Sequence, residues 1–190
     1  MRKAGLASQG FFYCDFRENQ KRDLRGLLSS LLVQLCHQST SYYDILLKFY
    51  EEHAEGLQHP LDDALTGCLM DLLKLPGLAP VYLIVDALDE FPNASAVSSA
   101  RAKVLNLIEK LIESKIPNLR ICVTSRPEAD IKDVLSPLIF RSVSLHDENG
   151  HKKDIEDFIK LTISTSPENE WEAEDMHRVV NILTEKSDGM

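Results

Sequence analysis

Cysteine is scarce and scattered in this 190-residue sequence: Cys14, Cys36, Cys68 and Cys122 form no C-x-x-C pair, which excludes the common zinc and dithiol-redox spacings. Each lies in an apolar stretch, so all four read as buried free thiols in a reducing compartment. Long apolar runs are missing too: none reaches the ~18 residues of a membrane span. The N-terminal MRKAGLASQG has no signal-peptide h-region. The expectation is a cytoplasmic protein with no membrane partner. Basic charge is in deficit, 21 Lys and Arg against 30 Asp and Glu for a net charge of -9, the wrong sign for phosphate backbones or anionic lipid surfaces. Nucleic acid is therefore not an expected partner. There is no G-x-S-x-G elbow, no cysteine in a nucleophile motif and no repeat of solenoid period. His53 and His59, in EEHAEGLQHP, are the closest histidine pair, and their spacing suits a solvated loop better than a metal site.

What is present has an ordinary globular balance, 44% hydrophobic and 27% charged, in a length that suits one domain or one domain with a small appendage. GFFYCDF, 10–16, is short and aromatic-rich and reads as a strand. After the solvated RENQKR run, Leu24, Leu27, Leu28, Leu31, Leu32 and Leu35 fall on one helical stripe. Ser41 opens a second helix, with Tyr42, Ile45, Leu46 and Phe49 on one side. A third runs from about Leu61 to Leu73 and stops before Pro76 and Gly77. VYLIVD, 81–86, and LRICVTS, 119–125, lack polar alternation, as central strands covered on both faces do. Between them Ser98 or Ser99 caps a helix whose stripe is Val104, Leu105, Ile108, Leu111 and Ile112. EADIKDVL reads as a short helix, FRSVSL, 140–145, as a fourth strand, and 152–164 and 170–186 as amphipathic helices, with Trp171 and Met176 as packing residues. Strands separated by helices predict an α/β fold with a mainly parallel sheet flanked by helices.

VYLIVDALDE brings three carboxylates, Asp86, Asp89 and Glu90, to the end of an apolar strand. The crevice beyond the carboxyl ends of a parallel sheet is where ligands bind. There Asp86 can hold Mg²⁺, while Asp89 or Glu90, one turn on, can orient an attacking water. The plainer alternative is that Asp86 opens a turn and caps a helix, with Asp89 and Glu90 solvated. RICVTSRPE ends in Thr124, Ser125 and Arg126, which share that edge if the two strands are parallel neighbours. A guanidinium there can engage a terminal phosphate; otherwise Arg126 pairs at the surface with Glu128 or Asp130.

Taken in order, GFFYCDFRENQKRDLRGLLSSLLVQL, VYLIVDALDE and LRICVTSRPE resemble the second strand and helix, the Walker B element and the sensor 1 strand of NACHT-type STAND nucleoside-triphosphatases. The likeness is to the fungal type with a nephrocystin 3-like N-terminal domain. FRSVSLHDENGHKKDIEDFI is similar to that family's last core strand and the start of its helical lid. The resemblance implies a P-loop-like nucleotide-binding core over 1–150 and the beginning of a lid over 151–190. It implies ATP or GTP with Mg²⁺, Asp86 on the metal, Asp89 and Glu90 in the catalytic positions, and Arg126 as the nucleotide sensor. The complete family works as a nucleotide-driven switch in signalling.

One departure limits that expectation. A Walker A loop needs G-x-x-x-x-G-K-[ST], and lysine follows none of the eight glycines here. A strand, phosphate loop and first helix would occupy roughly 30 residues as part of a βαβ unit, yet about nine stand before GFFYCDF. The expectation is an incomplete core, lacking a strand between those at 119–125 and 140–145, that binds nucleotide weakly or not at all and does not hydrolyse it alone. Unpaired sheet edges then favour self-association or pairing with a full-length relative. The competing reading is a non-catalytic interaction module or remnant using that open edge.

Overall fold

The computed structural model describes all residues except 1–5, 16, 19–20, 78, 94–98, 145–148, 166–172 and 187–190. Its strands are β1 (Ser8–Tyr13), β2 (Val81–Asp86) and β3 (Leu119–Val123), parallel and in that spatial order, with β2 in the centre. Parallel neighbours need crossovers. Helices α1 (Leu24–Cys36), α2 (Thr40–Glu52) and α3 (Asp62–Leu73) connect β1 to β2, and α4 (Ala100–Glu113) connects β2 to β3. α5 (Ala129–Leu135) follows β3. The chain divides into two compact units, Met1–Ile139 and Phe140–Met190. In the second, α6 (Asn149–Thr165) and α7 (Ala173–Lys186) pack on each other, and Val180 is buried. No described helix is long and apolar enough to cross a membrane.

The leucine stripe of α1 is buried at all six positions. It joins Leu69 and Leu72 of α3, Val104 and Ile108 of α4, and Leu83 and Val85 of β2 in one core. Asp23 starts α1 by accepting the Gly26 amide at 2.7 Å, and Ser99 starts α4 by accepting that of Ala102 at 3.1 Å. Gly10 lets α1 approach the sheet: a Cβ there would stand 2.8 Å from Leu31 Cδ2 and 3.3 Å from Leu83 Cδ2.

The two sheet edges differ. Gln34 on α1 and Gln38, in the turn just past its C-terminus, lie four residues apart, and their side-chain amides pair with the backbone of β1. Phe11 N–H donates to Gln34 Oε1 at 3.0 Å and Gln34 Nε2 donates to Phe11 O at 2.7 Å. Gln9 and Gln38 exchange the same two bonds at 3.0 and 2.7 Å. Gln9 and Phe11 are two strand residues and so about 6.6–6.8 Å apart on β1; the last turn of α1 and the turn after it match that spacing, and the glutamines serve as a surrogate neighbouring strand. At the opposite edge Thr124 donates to Val85 at 3.0 Å. By alternation Ile121 and Val123 turn their backbone groups away from β2, and among the described residues no strand pairs there.

Several sequence expectations need correction. The first strand runs 8–13 rather than 10–16, and the third ends at Val123 rather than Ser125. α2 starts at Thr40 after Ser39, with no side-chain cap, instead of at Ser41. FRSVSL forms no strand over 140–144, which are exposed, and Leu145 lies outside the described residues. Alternation makes a segment compatible with a strand, but only ladder partners make it one. β2 and β3 are not covered on both faces. Tyr82 is 41% exposed, Tyr13 58%, and no β3 residue is buried, so within Met1–Ile139 and among the described residues only one sheet face is packed. Cys122 lies on the other face and is exposed, whereas Cys14, Cys36 and Cys68 are buried as expected.

Candidate functional site

Leu88 and Phe91, three residues apart around a 3-10 turn (Leu88–Glu90), are both fully buried. Phe91 stacks on Phe12 of β1 with ring centroids 6.0 Å apart. Two apolar anchors thus go down into the core, and Asp89 and Glu90 are held between them at the carboxyl end of β2. The chain reverses at Ala87, whose φ of 56° and ψ of 50° are left-handed, a conformation that penalises every Cβ and tolerates small residues best.

β3 locks this turn. Thr124 O accepts the Leu88 amide at 2.9 Å, Thr124 Oγ1 accepts the Ala87 amide at 2.9 Å, and the same hydroxyl donates to Asp86 Oδ1 at 2.5 Å. Asp86 therefore does not cap the following turn; it binds across to Thr124, the residue after β3. Asp89 Oδ1 accepts the Arg126 amide at 3.0 Å, and its Oδ2 lies 3.6 Å from Arg126 Nε. Arg126 pairs with Asp89, not with Glu128 or Asp130. The Asp89 side chain is 13% exposed and that of Arg126 74%, so the carboxylate is committed to the loop while much of the guanidinium faces solvent. Glu90 makes no hydrogen bond through its side chain among the described residues.

The negative field of this rim reaches β1. Burial first, then the charges of Asp86, Glu90 and Asp89, push the Cys14 thiol up to about 12. Next to it Asp15 is held down at about 2, chiefly by hydrogen bonds from the Arg17 side chain and amide. All four residues named from the sequence, Asp86, Asp89, Glu90 and Arg126, belong to the linked ends of β2 and β3. Arg101 was missed. It is 7% exposed and donates to the carbonyl oxygens of Asp89 and Phe91 and to the Asp130 carboxylate. The sequence held a signal for it: Arg101 stands three and four residues before Val104 and Leu105, in phase with an apolar stripe where a solvated cation does not belong.

At this rim Asp86 and Glu90 keep carboxylate oxygens free of the hydrogen bonds described. Asp86 uses one carboxylate oxygen on Thr124, leaving the other for a hydrated divalent cation, and no described group of three or more His, Cys, Asp or Glu could hold a metal by itself. No lysine-bearing glycine loop stands at this rim. A family model described as Nephrocystin 3, N-terminal, matches residues 2–126. No curated protein and no solved structure matches the chain significantly.

Proposed function

The chain belongs to the nephrocystin 3, N-terminal family, and on that premise we propose that it carries the distal part of a NACHT-type STAND nucleoside-triphosphatase core, a nucleotide-dependent signalling switch. The observation that supports this reading is the junction of Asp86, Asp89, Thr124 and Arg126 at the carboxyl ends of two adjacent parallel strands. Asp86 would hold Mg²⁺, Glu90 with Asp89 would orient water, and the exposed part of Arg126 would meet the terminal phosphate of ATP or GTP. Bound Mg²⁺ supplies charge neutralisation on the phosphate oxygens. Because these 190 residues contain no G-x-x-x-x-G-K-[ST] cradle, affinity should be very weak, and hydrolysis by this polypeptide alone is not expected.

Paramagnetic NMR reads binding that weak. Millimolar Mn²⁺ with ATP or GTP should broaden the amide signals of 86–90 and 124–126 selectively, and Asp86→Asn should abolish the effect. Absent or uniform broadening would sink the nucleotide reading, and micromolar ATP affinity by isothermal titration would contradict the weak-binding expectation.

A second reading, a non-catalytic module that pairs through its sheet edge, is favoured by the contrast between the glutamine-closed edge of β1 and the edge of β3, on which no described strand pairs. Self-association, or pairing with a full-length relative, would then occur at β3. Concentration-dependent protection of 119–123 from hydrogen exchange, unchanged by Asp86→Asn, would favour it. Full protection of β3 in a dilute monomer would rule it out.

A further inference from the structure

Arg101 occupies the first turn of α4, the positive end of the helix, where a cation is disfavoured. It is also buried, so a guanidinium there persists only if its hydrogen bonds are met. They are: Nε donates to Phe91 O at 3.2 Å, a terminal nitrogen donates to Asp89 O, and Nη1 lies 3.2 Å from both Asp130 oxygens. Asn93 Nδ2 donates to the same carboxylate at 3.0 Å, and the Arg101 amide donates to Pro92 O at 3.4 Å. One side chain therefore grips two carbonyls of the segment that carries Asp89 and Glu90, and ties them to Asp130 on α5. Asp130 lies four residues beyond Arg126, which is itself held by Asp89.

We infer that Arg101 and Asp130 form a positioning pair that fixes the aim of Asp89, and through it of Arg126, and that makes the acidic rim depend on α5 remaining docked. The consequence for a metal-phosphate rests on the nucleotide reading above; the clamp itself does not. Lysine cannot replace the arginine, because one ammonium cannot reach carbonyls 89 and 91 and the carboxylate of 130 in the planar spread of a guanidinium.

Amide hydrogen exchange by NMR on the full chain tests the clamp without any nucleotide. Asp130→Ala, at a half-exposed carboxylate, and Arg101→Lys should each raise exchange of the Arg126 amide about tenfold while Leu83 and Val85 keep their protection. Asp130→Glu should restore it. Exchange at Arg126 within twofold of native in both variants, or an equal rise across β2, would overturn the inference. In the same samples Mn²⁺ with ATP should lose selective broadening at 124–126. If the native chain shows none, the nucleotide reading fails while the clamp is still judged by exchange.

Discussion

The Thr124 hydroxyl donates to Asp86 and accepts the amide of Ala87, so a single side chain joins the exits of β2 and β3. Thr124→Val keeps the shape and removes both bonds. Water can reach these partly open groups, so the loss should be about 0.5–1.5 kcal/mol. Urea denaturation should show a lower midpoint for Thr124→Val and a near-native one for Thr124→Ser.

At Ala87 the left-handed backbone carries a cost of about 1–2 kcal/mol for a residue with a Cβ, against roughly 0.5–1 kcal/mol of extra chain entropy for glycine. Ala87→Gly should therefore raise stability by about 0.5–1 kcal/mol, and Ala87→Val should lower it by more than that. A wild-type or lower urea midpoint for the glycine variant would contradict the assigned turn.

Gly10→Ala brings a methyl to 2.8 Å from Leu31 Cδ2, and because Leu31 is 1% exposed its tip must shift within the core, so overpacking should cost about 1–3 kcal/mol. Adding Leu31→Val should recover part of that loss. A double-mutant cycle checks it: strict additivity would mean that α1 does not approach β1 at this point.

Three buried thiols supply a pH dependence. Burial raises Cys14 and Cys68 to about 12 and Cys36 to about 11, all above an unfolded value near 9. A raised acid holds its proton longer in the folded state, so this stability is complete below pH 9 and is lost as pH climbs from about 9 towards 12. The urea midpoint should fall across pH 9–11, and Cys14→Ala should shallow that fall. At pH 8 a thiol reagent should label Cys122 quickly in the native protein and the other three only after unfolding.

Most of this architecture is local chemistry and could be read from residue order. VYLIVD ends as a strand at its first carboxylate, and the α1 leucines repeat at 3.6 residues, because both patterns are enforced by burial against a neighbour. FRSVSL alternates as well, yet it forms no strand over its described residues 140–144, since pairing depends on a partner and not on the segment. The exposed face of Tyr82 and Cys122 was misread for a related reason: an apolar run states what a strand would bury, not what is there to bury it. At the rim, the sequence supplied the carboxylates but not their division of labour. Only the fold reveals that Asp89 is occupied by Arg126 and that a cation in phase with an apolar stripe grips the loop from below.

The paired amides of Gln34 and Gln38 also act as a gauge of helical pitch. One residue inserted in α1 after Gln34 would rotate the turn that carries Gln38 by about 100°, taking its amide off the strand. Among the described residues the sheet would then have two margins without a partner, and molecules could zip edge to edge into filaments instead of stopping at a single contact.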